Sequence, residues 1–508
     1  MKRTLAKIIA ISLMTGMCGE TGAVMTSAMT ARVVPSWQKK LSLKKGKKKV
    51  LKVKGKYIKK CKFSSTKKKI ATVGKKGKVT AKKVGTCKIK AVVWYAKSRG
   101  SKKYVKKILW CNVTVSSKKP DVTVNPPVYT IDDEFVKQNA EFSVNMAKSA
   151  MAEAVEDGEN VLISPESIMS ALALVLDGAN GETQAQLCKN LCGGMDVETF
   201  HKRLSEYNTY LMASQDVKFH LANSIWARKD DRLTVNENYL QRMKDFYGAP
   251  LFVRDFNDQT VKDINRWVDK NTEHMIPTII DSISDDTMMY LINALSFEGR
   301  WKKQYEDSQV KSGQTFTNIK GKKETVTMLE SKESLYVEDE HATGVVKYYS
   351  GNQYAFMGIL PNPGTTVKEY LEGMTGEDYI RLYQTRAHHD VMTKIPEFSY
   401  DYKTSLVSSM KAMGILDVFD GEKADLSSLA QWKDGNLYVG DVLHKTHIEL
   451  DRNGTKAAAV TAVIMEAASA MPEDKPKQVY LDRPFLYVII DTESGLPLFI
   501  GAVNSVNG

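Results

Sequence analysis

The sequence predicts two domains in tandem, a small all-β sandwich followed by a larger α+β domain. Residues 61–115 alternate apolar and polar positions between glycine turns, which is the period of half-buried strands. Residues 132–508 mix amphipathic helical segments with short, wholly apolar strands. The chain of 508 residues is also longer than a single hydrophobic core accommodates. We predict a leader over 1–31, a first domain over 32–120, a linker over 121–131 and a second domain over 132–508.

The net charge of +14 is the average of two opposite parts. Residues 32–120 contain 32 Lys or Arg and no Asp or Glu, whereas residues 121–508 contain 38 basic and 58 acidic residues. The chain is therefore a strongly basic module joined to an acidic body. An apolar content of 43% with 26% charged residues is typical of globular proteins and excludes a disordered chain.

Residues 1–31 have the pattern of a secretory signal peptide. A basic pair precedes an apolar stretch from Leu5 to Met17, and small residues follow it. This stretch is too short to span a membrane as a helix. We therefore expect a secreted, extracellular protein, with association with the cell surface left open. Cleavage is expected after one of three alanines: Ala23, Ala28 or Ala31.

The basic module shows strand periodicity. Cys87 and Ile89 fall on one face of a strand while Lys88 and Lys90 fall on the other, and residues 73–81 read as a hairpin turn. An all-β sandwich with lysines outside follows. Its three cysteines are Cys61, Cys87 and Cys111. All three are expected to face the core, and at most one pair of them could form a disulfide.

The runs STKKKIATVGKKGKVTAKKVGTCKIKA (65–91) and CNVTV (111–115) resemble the bacterial immunoglobulin-like domain, group 2. This resemblance implies a spacer or an adhesive unit of a surface or secreted protein. The lysines favour attraction to an anionic polymer, such as a cell-wall polymer or mucin; the alternative is an ordinary solvated strand face. Nucleic acid is not expected as a partner, because the segment lacks aromatic residues spaced for base stacking.

The large domain shows local helix and strand signals but no catalytic apparatus. Ser164 and Pro165 suit the cap and first position of a helix whose apolar residues run over 167–179. Segments 485–490 and 498–503 predict a buried hairpin. No glycine-flanked nucleophilic serine, HExxH motif or phosphate-binding loop is present. We therefore expect no catalytic residues, no metal and no cofactor.

Three segments of the large domain resemble the serpin family of serine protease inhibitors. They are NVLISPESIMSALALVLDGANGETQAQL (160–187), LINALSFEGRWKKQY (291–305) and HKTHIELDRNGTKAAAVTA (444–462), the last followed by YLDRPFLYVIIDTESGLPLFIGAV (480–503). The resemblance implies three β-sheets, eight to nine helices and an exposed reactive loop. It also implies a monomer that traps serine proteases irreversibly and is not itself an enzyme.

The family's mechanism places specific demands on the loop. After cleavage, its N-terminal side inserts into the central sheet as a new strand, so every second side chain becomes buried. The chain must bend at Gly454 and enter the sheet at Thr455. The inward set is small or apolar throughout: Thr455, Ala457, Ala459, Thr461, Val463 and Met465. Ala458 belongs to the outward set of the same hinge segment. An alternative, an alanine-rich buried helix, does not suit the flanking sequence.

By analogy with inhibitory relatives, the scissile bond is Ala468–Ser469, with Met465 or Met471 as alternative cleavage residues. Alanine at the cut suits a shallow apolar specificity pocket, so we expect elastase-like or subtilisin-like targets. The acyl bond would form with the protease's own catalytic serine.

The resemblance also assigns conformational roles. Four polar residues match the family's latch beneath the centre of the sheet: Ser164, Ser167, Asn293 and His444. Trp301 matches the aromatic residue near the point where the loop first inserts. Arg452 departs from the family, which has an acidic residue two positions before the hinge glycine. The family's ion pair at this position is therefore expected to be absent or reversed.

Two other functions are consistent with the sequence. The first is a non-inhibitory serpin that acts in binding or storage and is cleaved as a substrate. The second is a surface adhesin in which the basic module over 32–120 carries the function.

Overall fold

The computed structural model describes residues 7–16, 40–83, 85–96, 103–116, 132–154, 158–272, 274–455 and 475–507. The chain divides into two compact units. The larger comprises residues 1–20 and 126–508, and the smaller comprises residues 21–125.

The smaller unit is a β-sandwich, as the alternation predicts. Its seven described strands are β2 (Lys40–Lys44), β3 (Lys48–Val50), β4 (Ile58–Ser65), β5 (Ala71–Val73), β6 (Lys78–Ala81), β7 (Gly85–Ala96) and β8 (Tyr104–Ser116). One sheet has the order β2-β8-β7-β4 and the other has the order β3-β6-β5. The facing apolar side chains of both sheets form the core, including Leu51, Val79, Ile89 and Val113.

The cysteines of this unit are core residues and not a cross-link. Cys87 and Cys111 are buried, Cys61 is partly buried, and all three are free thiols. The predicted hairpin is also present, because β5 and β6 pair in antiparallel register across a turn between Gly74 and Gly77. Gly77 has φ +78° and lies against the carbonyl of Leu51, so this turn needs glycine.

The described part of the larger unit contains nine helices. These are α1 (Asp133–Ala154), α2 (Pro165–Gly178), α3 (Gly181–Leu191), α4 (Val197–Met212), α5 (Glu237–Tyr247), α6 (Asp258–Asn271), α7 (Val367–Glu372), α8 (Gly376–Gln384) and α9 (Val407–Ala412). Helix α2 begins as predicted: the Ser164 hydroxyl accepts a hydrogen bond from the Ser167 amide, and Pro165 takes the first turn. It is buried over nearly its whole length, since it lies between the two large sheets.

A seven-stranded sheet forms the centre of the larger unit. Its strands are β1 (Lys7–Gly16), β10 (Lys218–Arg228), β12 (Leu251–Arg254), β13 (Thr287–Arg300), β19 (Phe398–Ser405), β21 (Leu437–Asp451) and β22 (Gly454–Thr455). Strands β13 and β21 do not pair with each other. The ten-residue β1 and the two-residue β22 lie between them at different heights.

A second sheet of nine strands packs on the other side of α2. Its strands are β9 (Val161–Ile163), β14 (Val310–Thr317), β15 (Lys323–Glu338), β16 (Ala342–Tyr348), β17 (Tyr354–Pro361), β18 (Ala387–Pro396), β23 (Lys477–Tyr480), β24 (Phe485–Asp491) and β25 (Pro497–Val503). The last two form the predicted buried hairpin. A third sheet pairs β11 (Leu233–Val235) with β20 (Ala430–Trp432).

Cys188 and Cys192 form a disulfide at the end of α3. The sequence, with two cysteines in a predicted helix, favours free thiols at these positions, and that interpretation is wrong. The two cysteines are four positions apart in the chain, which places both side chains on the same face of a helical turn. Among the described residues, no helix is both long and apolar enough to cross a membrane.

Candidate functional site

The hinge predicted at Gly454 is the second strand of a tight hairpin. Strand β21 ends at Asp451, two residues turn, and β22 returns antiparallel to it. The Asp451 carboxylate closes the turn by accepting hydrogen bonds from the amides of Asn453 at 2.7 Å and Gly454 at 3.1 Å. Such an Asx turn fixes the direction in which the chain leaves β21.

Glycine is required at position 454 for two reasons. Its φ is +154°, which L side chains rarely adopt, and a Cβ atom there would lie 2.1 Å from the carbonyl oxygen of Gly299. The close approach exists because β22 pairs on both sides. Gly454 and Thr455 oppose Arg300 and Gly299 on β13, and they also oppose the last residues of β21.

Thr455 is fully buried, as a first inserted residue must be. Its hydroxyl forms a hydrogen bond with the phenol of Tyr349, with 2.5 Å between the oxygens. Burial raises the pKa of Tyr349, so the phenol stays protonated at any physiological pH. The threonine pocket therefore holds one neutral hydrogen bond.

Trp301 connects this pocket to the hairpin turn. Its indole stacks on Tyr349 with ring centroids 4.6 Å apart, and its Nε1–H donates to the carbonyl of Asp451 at 2.9 Å. Its backbone amide donates to the carbonyl of Asn453 at 3.0 Å. The Lys347 ammonium lies 5.6 Å from the same indole ring and pairs with Glu333 at 2.5 Å. Trp301 thus contacts both ends of the turn.

Arg452, which departs from the family's acidic residue, forms an ion pair with the segment before β14. The guanidinium lies 2.5 Å from the Asp307 carboxylate, and its Nη2 also donates to the carbonyl of Tyr305. The Arg452 amide donates to the Glu397 carboxylate at 3.2 Å. Burial raises the pKa of Glu397, and the nearby Asp451 raises it further. The positive charge therefore lies on the hinge, and the negative charge on the segment before β14.

The polar residues predicted as a latch are all fully buried, and they form two halves that the hydrogen bond from the Ser167 amide to the Ser164 hydroxyl joins at the start of α2. In one half the Ser164 amide donates to His444 Nε2 at 3.2 Å. In the other half the Ser167 hydroxyl donates to Asn293 Oδ1 at 2.5 Å, and Asn293 donates in turn to Asn223 at 2.9 Å. Burial lowers the pKa of His444 to about 3, so the imidazole is neutral.

Asn293 and His444 lie apart because β1 runs between their strands. Leu13 of β1 is in register with Asn293 of β13 on one side and with His444 of β21 on the other. Strand β1 is parallel to both neighbours. The structure therefore presents the central sheet in its widened form, with a strand in the central position.

The hinge also depends on residues that sequence reasoning did not single out. Asp451 was recognisable in principle, because an Asp two and three residues before Asn-Gly is a common turn pattern. Lys347 lies near the end of β16, Tyr349 follows that strand directly, and Asn223 comes from β10. No local pattern marks these three, because their role depends on strands distant in sequence meeting at the hinge.

Several predicted loop residues lie outside the described part of the chain. These are Ala457, Ala458 and Ala459 of the hinge segment, the predicted scissile pair Ala468 and Ser469, and the alternatives Met465 and Met471. Within the described residues, no group of three or more His, Cys, Asp or Glu is arranged to hold a metal ion.

Comparison with known proteins agrees with this geometry. The profile of the serpin (serine protease inhibitor) family matches residues 137–506, and that of the bacterial Ig-like domain (group 2) matches residues 31–105. The chain is 28% identical over 395 residues to an uncharacterized serpin-like protein of Methanosarcina acetivorans, covering 75% of this chain and 91% of the relative.

Two further similarities are with proteins of known type. The chain is 31% identical over 366 residues to the leukocyte elastase inhibitor of Homo sapiens, covering 68% of this chain and 93% of the inhibitor. The native-state crystal structure of tengpin, a thermophilic serpin, aligns with a TM-score of 0.69 and 39% identity over 74% of this chain and 95% of tengpin. The chain therefore belongs to the serpin family and carries a group 2 bacterial Ig-like domain ahead of its serpin domain.

Proposed function

We propose that this serpin is a secreted, irreversible inhibitor of serine proteases that acts by reactive-loop cleavage and insertion into the seven-stranded sheet. The strand pairing of β22 supports this proposal most strongly. Gly454 and Thr455 already pair in antiparallel register with both β13 and β21. Insertion would extend this strand without changing the direction of the chain or the pairing of its first two residues.

The register of β22 supports the predicted length of the inserting segment. Thr455 opposes Gly299 on β13 and Leu450 on β21. An antiparallel strand continued in this register reaches the first residues of β13 and β21, Thr287 and Leu437, within two residues of position 468. A cut after Ala468 would therefore release a segment that fills the central position from end to end.

The same register supports the predicted burial pattern. From Val442 to Leu450, every second residue of β21 is buried. Residues opposite each other in a sheet point to the same face, so Thr455 and every second residue after it would face the core. These are the small or apolar loop positions, and Thr461 would arrive between Asn293 and His444, where the two latch halves part.

The proposed targets are elastase-like or subtilisin-like proteases. The bait is the Ala468–Ser469 bond, with small and apolar residues around it. The similarity to a leukocyte elastase inhibitor supports the elastase-like class. The protease's catalytic serine would form the acyl bond, and insertion would carry the enzyme away from its hydrolytic geometry before deacylation.

The central position must be empty before the loop can enter it, and β1 fills it in the full chain. Because β1 lies within residues 1–31, removal of the proposed signal peptide during export would vacate that position. Export and activation would thus be the same proteolytic event. We further propose that the basic module over 32–120 keeps the secreted inhibitor close to an anionic polymer, such as a cell-wall polymer or mucin.

The decisive experiment mixes pancreatic elastase with the chain beginning at residue 32. The expected product is a covalent complex that survives boiling in SDS, together with a C-terminal fragment that begins at Ser469 by mass spectrometry. Cleavage without complex formation would instead indicate a non-inhibitory serpin. A fragment that begins elsewhere would reject the assigned scissile bond while leaving the inhibitory function intact.

A further inference from the structure

The outer face of the four-stranded sheet in the smaller unit carries exposed aromatic side chains among its lysines. Tyr104, Ile108 and Trp110 point outward from β8 and are 44–48% exposed. Trp94 points outward from the neighbouring β7 and is partly exposed. Large apolar side chains held in water are unfavourable, so a group of them on one sheet face indicates a binding surface.

The strand register arranges these residues in an ordered pattern. Across β4, β7 and β8, Lys60, Trp94 and Lys106 form one row. The next row is Lys62, Val92 and Ile108, and the third is Ser64, Lys90 and Trp110. Each indole therefore has at least one lysine as a direct cross-strand neighbour, and the apolar pair Val92 and Ile108 fills the space between the indoles.

The lysines lie close to the rings. Lys60 Nζ is 6.0 Å from the Trp94 ring centroid, and Lys90 Nζ is 5.5 Å from that of Trp110. Such cation–π contacts hold the ammonium groups beside the apolar stripe. Because residues 32–120 contain no acidic residue, the positive charge of the stripe's borders is not neutralised within the module.

We propose that this face binds an acidic polysaccharide, with sugar rings stacked on Trp94 and Trp110 and carboxylate or sulfate groups held by the bordering lysines. The inference deepens the proposed polymer attraction of the basic module and rests on it. A pyranose ring presents C–H groups on its faces and charged groups at its edges, which matches an apolar stripe with cationic borders. The four-residue offset between the indoles is roughly 13 Å, the length of a short run of sugar rings.

Two features favour a polysaccharide over a nucleic acid. Bases stack on rings placed close together, whereas the aliphatic row of Val92 and Ile108 separates these two indoles. The described residues of the module also contain no arginine, the side chain whose planar fork suits phosphate and base edges. The expectation from the sequence considered aromatic residues only for base stacking and did not single out this group. The fold brings Trp94, Tyr104 and Trp110 onto one face.

The test uses the full chain and the double variant Trp94→Ala/Trp110→Ala, which changes no charge. Binding is measured at 150 mM salt to polygalacturonate, to polyglutamate as a polyanion without sugar rings, and to poly(dT). The variant should bind polygalacturonate about tenfold more weakly, the value of one moderate stacking contact. Its affinity for polyglutamate should stay within about twofold of that of the parent chain.

Two charge variants separate the face from the rest of the module. Removing Lys62 and Lys106 should weaken polygalacturonate binding more than removing Lys75 and Lys76, an equal charge change in the exposed turn between β5 and β6. As an independent readout, polygalacturonate should protect tryptophan fluorescence from acrylamide quenching in the parent chain but not in the double tryptophan variant.

The results distinguish sugar stacking on Trp94 and Trp110 from the general attraction of the basic module to polyanions, on which the stacking inference rests. Unchanged polygalacturonate affinity in the tryptophan variant overturns the stacking inference and leaves simple polyanion attraction standing. A loss confined to poly(dT) assigns the face to single-stranded nucleic acid and also overturns it. If the full chain binds neither polygalacturonate nor polyglutamate at low salt, the proposed polymer attraction itself is wrong.

Discussion

The hydroxyl of Thr455, on the two-residue strand β22, forms a hydrogen bond with the phenol of Tyr349, the residue that follows β16, and both residues are fully buried. This contact fixes Thr455 against Tyr349, and the Trp301 indole stacks on the Tyr349 ring. The hinge is therefore already paired within the sheet in this structure. Under the proposed mechanism, insertion would propagate from this point.

Replacing the buried threonine should convert the inhibitor into a substrate. In Thr455→Arg, a guanidinium would take the place of a fully buried hydroxyl, so insertion should stall. When the chain beginning at residue 32 is mixed with elastase, we expect full cleavage of the loop and loss of the SDS-resistant complex. The matched control is Thr209→Arg, an exposed position on α4 that should leave inhibition unchanged. Equal complex formation by Thr455→Arg and the parent would refute the insertion mechanism.

The hinge glycine should be sensitive for steric reasons. In Gly454→Ala the new methyl group would clash with the Gly299 carbonyl, so β22 could not pair with β13. We expect the number of inhibitor molecules consumed per protease trapped to rise several-fold. Gly414→Ala is the control, because Gly414 also has positive φ but a Cβ there meets no atom within 4 Å. A similar rise in both variants would indicate general backbone strain and not the hinge contact.

The ion pair between Arg452 and Asp307 can be tested by reversing the charge of each residue. Arg452→Glu places two acidic groups together at the hinge, and Asp307→Arg places two basic ones there. Each single variant should lower the melting temperature by about 1–2 °C, since the pair is largely solvent-exposed. The combined variant should recover most of this loss. Additive losses in the double-mutant cycle would mean that the two charges do not interact.

Glu166 should make the stability of the serpin domain fall with rising pH. Burial raises its pKa from 4.5 to about 8, so the folded protein holds a proton that the unfolded chain releases. The resulting stabilisation is complete below pH 4.5 and is lost progressively as the pH rises to about 8. The neutral variant Glu166→Gln lacks this pH-dependent stabilisation. Its melting temperature relative to the parent should therefore increase between pH 5 and 8 and level off above.

His444 acts in the opposite direction and at lower pH. Its pKa falls from 6.5 to about 3, so its stabilisation is present above pH 6.5 and is lost as the pH falls toward 3. Because both proteins contain His444, its pH-dependent contribution to stability cancels when Glu166→Gln is compared with the parent at each pH. A constant difference between the two proteins from pH 5 to 8 would show that Glu166 is ionised in the folded state.

The leader should suppress inhibition as long as it is attached. In the full chain β1 pairs with β13 and β21 over its whole length, so the loop would have to displace it. We expect the full chain to be cleaved by elastase with little complex formation, whereas the chain beginning at residue 32 forms the complex. A full chain whose Ile11 is replaced by Pro, which cannot donate to a sheet, should regain inhibition in part. Equal inhibition by the full and shortened chains would show that β1 does not compete for the central position.

The sequence by itself determined the local and periodic features of this protein. The alternation of β7 and β8, the cap of α2 at Ser164, the terminal hairpin and the charge division between modules all depend on neighbouring residues or on composition. The family resemblance extended this to the hinge glycine and to the four polar latch residues. These could be read because short motifs carry them.

Only the tertiary structure decided which distant residues meet. Tyr349 and Asn223 reach the hinge and the latch from β16 and β10, and Trp94 and Trp110 share a face only because β7 and β8 pair in one particular register. The disulfide of Cys188 with Cys192 and the place of β1 were also beyond local reasoning. The composition of residues 7–16 does not show which strands they would pair with. Their backbone groups find partners on β13 and β21 only once distant parts of the chain have folded together.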